Sequence, residues 1–214
     1  MSPAVRAVVV ADVVRSTAST NLPAILRQKL RIATIAHLEE KRIRLPYAIT
    51  AGDEFQTLSE SIRELPALIF DIRRRLHPLQ LRIGVGIGRL PGRVRPPVNT
   101  LAGEPFRMAR RAIEHIQTRR LHRYATLTAF RSTNERFDDF ANLVYELHDA
   151  LLQSISTRQW ETISMYAARN RVDLAAKALK IDVSTASRNL DRGHYWQIKE
   201  TIEAMTRIIE YSFA

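Results

Sequence analysis

The 214-residue sequence predicts an α+β chain in which a sheet with flanking helices comes first and an all-helical part follows. Three observations carry that expectation. Residues 4–14 (AVRAVVVADVV) are β-branched and almost continuously apolar, the pattern of a strand covered on both faces. Residues 80–88 alternate Leu81, Ile83, Val85 and Ile87 with Arg82, Gly84, Gly86 and Gly88, the period of two that a strand imposes. From Ser132 onward the apolar residues recur at helical spacing.

Each element follows from local pattern. After the first strand, residues 22–42 put Leu22, Ile25, Leu26, Ala33 and Ala36 on one helical face, with Asn21 as cap. Residues 47–50 and 55–58 read as strands joined by Ala51, Gly52, Asp53 and Glu54, with Gly-Asp in a hairpin turn. A second helix, with Pro66 in its first turn, carries Leu68, Ile69, Ile72 and Leu76 inward. The strand at 80–88 has one face almost without side chains, so something approaches it closely, a packed helix in preference to a ligand. A Pro-rich loop at 91–97 leads to a third helix over about 105–117, with Phe106, Ala109, Ile113 and Ile116 on its inner side, and 121–130 reads as one more strand. The order β-α-β-β-α-β-α-β extends the split layout of ferredoxin-like sheets.

The remainder is helical. Ser132 and Glu135 fit a capping box opening a helix with Phe140, Val144, Leu147 and Leu151 in a seam. That heptad spacing suits a rigid connector or a homodimer seam. The expected division is 1–132 for the sheet domain, 133–156 for a connecting helix and 157–214 for a helix-turn-helix domain. Trp160, Tyr166, Trp196 and Tyr211 stand at positions that look like core anchors.

Composition narrows the function classes. The chain has no cysteine, which removes disulfides, thiolate catalysis and Cys-ligated metal sites. No apolar stretch reaches the roughly 20 residues of a membrane span, so a soluble, cytoplasmic protein is expected. The net charge of +11 favours polyanionic partners. Before position 156 there are 24 basic and 15 acidic residues, and nine and seven from there on, so the excess lies in the first part. No P-loop, nucleophile elbow or metalloprotease His pair occurs.

Asp12 ends a central strand, and Asp53 and Glu54 sit at a hairpin tip. If the hairpin pairs beside the first strand, the acids meet at one edge of the sheet. Either a carboxyl pKa then rises or a divalent cation neutralises the group; Mg²⁺ would use one or two carboxylates and bridge to substrate phosphates. The alternative is that Asp12 caps a loop and Asp53 merely forms the turn.

AGDEFQ at 51–56 resembles the GGDEF signature of diguanylate cyclases, and ADVVRST at 11–17 with RIGVGIG at 82–88 resembles blocks of class III nucleotide cyclases. Together with the helical C-terminal part, the chain is most similar to the SatD family. The resemblance implies a cyclase-like palm in which Asp12 and Asp53 are ligands of Mg²⁺ or Mn²⁺, Asp53 and Glu54 are the catalytic acids, and the backbone from Val13 to Thr17, with Arg15, Ser16 and Thr17, cradles phosphate. In GEPFRMARRA at 103–112, Arg107 stands where cyclases carry a ribose-contacting Asn and Arg111 where they carry a phosphate-contacting Arg. Two guanidiniums one turn apart make an anion clamp and do not reproduce ribose recognition. Ile49 replaces a base-selecting Lys, Arg15 a loop Gly and Ala51 the first Gly of the signature, so the expectation is a metal and polyphosphate site rather than ordinary cyclic-nucleotide synthesis. For Arg107, Arg110 and Arg111 the alternative is a solvated basic helix face.

AAKALKIDVSTASRNL at 175–190 fits a helix-turn-helix, with Leu179, Ile181, Ala186 and Leu190 inward and Asp182 as cap. Val183, Ser184 and Thr185 then occupy the first turn of the second helix, where base edges are read, and Arg188 and Arg192 are the expected DNA contacts, with Arg169, Arg171 and Lys177 near the backbone. A helix-turn-helix that serves only dimerisation or docking is the competing reading. The leading expectation is a nucleotide-responsive regulator that binds double-stranded DNA. The alternatives are a metal-dependent nucleotidyl transferase or cyclase acting on a nucleoside triphosphate, and a catalytically inert interaction protein.

Overall fold

The structure, a computed structural model, describes residues 4–14, 21–90, 94–118 and 126–213. Five strands form one mixed sheet: β1 (Ala4–Val13), β2 (Ala48–Ala51), β3 (Glu54–Leu58), β4 (Leu81–Leu90) and β5 (Thr128–Arg131), in the order β2-β3-β1-β4-β5. Every pairing is antiparallel except β4 with β5. β1 is central and buried from Ala7 to Val13, as its unbroken apolar run requires. Residues 121–125 of the expected last strand lie outside the described residues, and the strand itself is the short β5.

Two layers of helix cover the sheet. On one face, α1 (Leu22–Glu39) and α2 (Leu65–Leu76) pack on Ala7, Val9, Ala11, Ile83, Val85 and Ile87. On the other, α3 (Glu104–Thr118) packs on Val8, Val10 and Leu58 through Ala109 and Ile113. The glycine stripe of β4 lies under α3. A Cβ built on Gly86 would stand 2.0 Å from the Pro105 carbonyl oxygen and 2.2 Å from the Ala109 nitrogen, and one on Gly84 2.6 Å from the Ala109 carbonyl oxygen. The packed helix expected from the bare face is therefore α3.

Five helices follow: α4 (Glu135–Ser154), α5 (Thr157–Arg169), α6 (Val172–Leu179), α7 (Val183–Arg192) and α8 (Tyr195–Phe213). α4 and α8 add Phe137, Ala141, Tyr145, Met205 and Ile209 to the main core beneath α1 and α2. A second cluster joins Phe70 of α2 to Leu152, Trp160, Ile163, Leu190 and Ile198, and Phe70 stacks on Trp160 at 6.1 Å. Arg73 of α2 is buried between the halves, donating to the carbonyls of Leu81 and Leu127, to Thr128 and to Asp149 of α4. Burial pushes Asp149 up and Arg73 down from their ordinary pKa values, against their mutual attraction.

Several local expectations are corrected. α1 ends at Glu39 and turns Ile25 outward, 40% exposed, because Leu22, Leu26, Leu30, Ala33 and His37 make the inner stripe. The cap of α4 is Asn134, whose side chain accepts from the Phe137 amide, while Ser132 bonds to Asp138. The seam of Phe140, Val144, Leu147 and Leu151 is not the buried face of α4: Phe140 and Leu147 are exposed, and Phe137, Ala141, Tyr145, His148 and Leu152 face inward, one residue out of phase. Tyr211 is 90% exposed and Trp196 partly so, hence neither anchors the core, whereas Trp160 does.

Two outcomes are expected from this packing. Gly86→Ala should lower unfolding free energy by roughly 3 kcal/mol in urea titrations, since backbone and not a flexible side chain meets the new methyl. His148 is buried beside Arg73, neither ring nitrogen has a partner among the described residues, and burial first, then Arg73, lowers its pKa to about 3. Between about pH 6.5 and pH 3 the unfolded chain takes up a proton that the folded chain refuses, so stability falls with pH by about 1.4 kcal/mol per unit from this group. His148→Leu should flatten that part of the slope in unfolding curves collected across the same range.

Candidate functional site

The hairpin of β2 and β3 turns at Gly52 and Asp53, with Ala51 paired to Glu54. Gly52 has φ +53 and open space around its missing Cβ, so backbone conformation is the reason for glycine there. The register pairs Ala11 with Phe55, which sets Asp12 beside Glu54 and brings the turn to the same end of the sheet. Asp12 shares its face with Val8 and Val10, the side that α3 covers.

Both acids are met there by cations. Arg82, paired with Asp12 across β1 and β4, donates its Nε to Asp12 Oδ1 at 2.7 Å, and Gln117 of α3 donates to Oδ2 at 2.9 Å. Arg110 of α3 grips Glu54 with two nitrogens at 2.5 and 2.7 Å, and Thr50 donates its hydroxyl at 2.6 Å. Burial raises the Glu54 pKa, and the Arg110 fork and Thr50 outweigh it, leaving Glu54 below its ordinary value. The Glu54 bond raises Arg110, with Asp12 among the charges that assist. Asp53 is half-buried at the turn.

Beside this pair of ion pairs lies an open cavity of about 600 Å³, within the range of small-molecule sites. Arg107, Arg110 and Arg111 line it from α3, Thr50 from the hairpin and Asn99 from the turn Val98–Thr100, with the Phe106 ring partly buried in its wall. Gln56 of β3 holds that turn by donating to the Val98 carbonyl at 3.2 Å. Arg107 and Arg111 are exposed, one turn apart, and share the cavity with an arginine already neutralised by Glu54. Among the described residues neither the Arg107 nor the Arg111 guanidinium has a hydrogen-bond or ion-pair partner, and a concave wall with two such guanidiniums can receive an anion bidentately. Arg107 and Arg111 are the residues of this site expected from the sequence, whereas Arg82, Gln117, Thr50 and Asn99 join it only through the fold. Arg82 was accessible in principle, because an antiparallel neighbour of β1 on the same face must oppose Asp12.

Of the expected phosphate cradle, Arg15, Ser16 and Thr17 lie outside the described residues, and the Val14 amide is spent on the Gln80 carbonyl at 2.8 Å. Among the described residues, the group of His, Asp and Glu with ligand atoms all within 4.8 Å is not at this rim; it is His37, Glu40 and Asp71. There Arg75 bonds both carboxylates and Arg74 pairs with Asp71, so cations of the protein already fill the acceptor sites.

The second candidate surface is α6 and α7, joined through Lys180, Ile181 and Asp182. Lys180 takes the left-handed conformation, φ 54, that ends α6 where glycine is commoner. Ala175, Ala176, Ala186 and Leu190 are buried between the helices, while Val183, Ser184, Arg188 and Arg192 are exposed and Thr185 half-buried. Arg188 leans on the Thr185 hydroxyl at 3.2 Å. Asp182 stands at the cap position without a side-chain bond to the helix. Asn189 ties α7 to Thr162 of α5 at 3.0 Å. Arg171 is committed to Asp173 by two bonds, and Arg169 contacts Met165.

Removing Arg110 leaves Glu54 with burial as the dominant influence. Arg110→Ala should therefore move the Glu54 pKa above the ordinary Glu value, read by carboxyl-carbon NMR titration, while Arg107→Ala leaves it low.

No helix among the described residues is long and apolar enough to cross a membrane. A search of curated proteins finds no match. The family model that matches is that of the SatD family, over residues 7–190, from the middle of β1 through Leu190 of α7. The chain belongs to the SatD family.

Proposed function

We propose that this chain is a DNA-binding regulator that responds to a nucleotide held in the arginine-lined cavity between α3 and the β2–β3 hairpin. The observation that carries the reading is the α6–α7 pair: small residues close its inner side, and Val183 and Ser184 of the first turn of α7, with Arg188 and Arg192, are exposed toward a duplex groove. The antiparallel order β2-β3-β1-β4 supports reading the sheet as a ferredoxin-like, cyclase-like palm, and the α6–α7 packing supports a helix-turn-helix. The nucleotide end rests on the cavity itself. Arg107 and Arg111 offer paired forks for phosphates, and Phe106 and Asn99 offer an apolar face and an amide for the remainder of the ligand.

The second reading, a Mg²⁺- or Mn²⁺-dependent nucleotidyl transferase using Asp12, Asp53 and Glu54, is favoured by the gathering of these acids at one end of the sheet. Their donor set as arranged does not fit a dication. Arg82 and Gln117 occupy both Asp12 oxygens, and Arg110 and Thr50 occupy Glu54.

Fluorescence anisotropy with duplex DNA tests the regulator. Binding should weaken with salt, and Arg188→Ala should cost roughly 1–3 kcal/mol and lower the salt slope. A nucleotide should shift the affinity of the parent chain and not of the Arg107→Ala, Arg111→Ala double variant. No duplex affinity, or an Arg188→Ala variant that binds unchanged, rejects the regulator. Pyrophosphate release from nucleoside triphosphates with Mg²⁺ would put the transferase in its place.

A further inference from the structure

A second cavity of about 600 Å³ lies on the opposite side of the sheet, bounded by the end of α1, by α2, and by α5 and α8. Four basic residues line it, Arg42, Arg74, Arg75 and Lys199, against two acids, Glu40 and Asp71. The acids do not cancel the arginines at random; they stitch them into a row. Asp71 accepts from Arg74 Nε at 2.6 Å and from Arg75 Nε at 2.5 Å, with His37 Nε2 2.8 Å away beneath. Glu40 accepts from an Arg75 terminal nitrogen at 2.6 Å and from Arg42 Nε at 2.9 Å. Asp71 is nearly buried and His37 fully so, and the other His37 nitrogen lies 2.8 Å from the Tyr47 hydroxyl, which fixes the foundation of the row.

These bonds use Nε of each arginine and terminal nitrogens of Arg74 and Arg75; Arg42 spends a further nitrogen on Glu64. Among the described residues, one terminal nitrogen of each guanidinium has no assigned partner. Three guanidiniums, each with one terminal nitrogen left to offer, are thus held in place before any ligand arrives, which removes much of the ordering cost that flexible arginines would impose. Across the cavity stand Lys199 and Tyr195 on α8, and the remaining wall is apolar, with Phe70, Ile198 and Ile202.

We propose that this cavity is an anion site for a phosphorylated small molecule with an apolar body, separate from the α3 cavity. The phosphate engages the arginine row and Lys199, and the apolar body lies on Phe70, Ile198 and Ile202. A charged rim beside an apolar floor favours an organic phosphate over inorganic phosphate, because the floor contributes only when an apolar group covers it. An occupant touches α2 and α8 at once, so its binding energy adds to the stability of their contact.

Phenyl phosphate is a suitable probe, titrated by calorimetry and by thermal unfolding of the full chain. It should raise the melting temperature and bind at least several-fold more tightly than inorganic phosphate. Lys199→Glu, at an exposed position that leaves the arginine row intact, should weaken phenyl phosphate about tenfold, and Arg42→Gln should weaken it by a similar factor. In an Arg107→Ala background, which weakens the α3 clamp, a phenyl phosphate site that Lys199→Glu weakens should persist. Absence of binding to the parent chain overturns the site. So does an affinity untouched by both Lys199→Glu and Arg42→Gln, or one lost in Arg107→Ala, which would assign the probe to the α3 cavity instead. Because the readout is independent of DNA, failure here leaves the regulator reading standing.

Discussion

The close approach of α3 to β4 is the contact on which the candidate site depends. Where Gly84 and Gly86 face α3, backbone meets backbone, and any side chain would hold the helix away. That spacing lets Arg110 reach Glu54 and Gln117 reach Asp12, and it sets Arg107 and Arg111 at the mouth of the cavity. A helix lifted by a methyl layer would take Arg110 from Glu54 and Gln117 from Asp12, leaving Thr50 to the one acid and Arg82 to the other.

Charge in this protein is organised in short hydrogen-bonded rows, in which each acid stands between an arginine and a second donor. Arg82, Asp12 and Gln117 form one, Thr50, Glu54 and Arg110 a second, and Arg42, Glu40, Arg75, Asp71 and Arg74 a third. Each row makes the cations rigid at a partly buried surface, where isolated exposed pairs would contribute little. The chain carries a large positive excess, and these rows concentrate part of it at two cavities. Rigid arginines beside a cavity are a form of preorganisation, since their rotamers are settled before a ligand is met.

Sheet and helices are bound by more than chain connection. Arg73 reaches β4, β5 and α4 from α2, and Met205 and Ile209 of α8 enter the core under α1 and α2. The α6–α7 pair is carried on α5, through Asn189 and Thr162, and α5 leans on α2 through Phe70 and Trp160. Changes at α2 therefore have a packed route to α7.

Much of the architecture was legible in local pattern. The β1 run, the β4 alternation, the hairpin glycine and the helix spacing of residues 65–76 and 104–118 are set by periods of 2 and 3.6, which short windows reveal. Phase on the α4 helix was not: Phe140 and Leu147 are as apolar as Phe137 and Tyr145, and only the position of β5 and α8 decides which stripe is covered. The acids were visible as residues and their neutralisation was not, because Arg82, Arg110 and Gln117 come from separate elements whose convergence is a property of the sheet order. The elements and the kinds of charge available follow from the order of amino acids alone, since both are written within a turn or a strand of chain. Which charges meet, and which apolar faces stay open, emerges when the layers pack, because those pairings depend on how far one layer stands from the next.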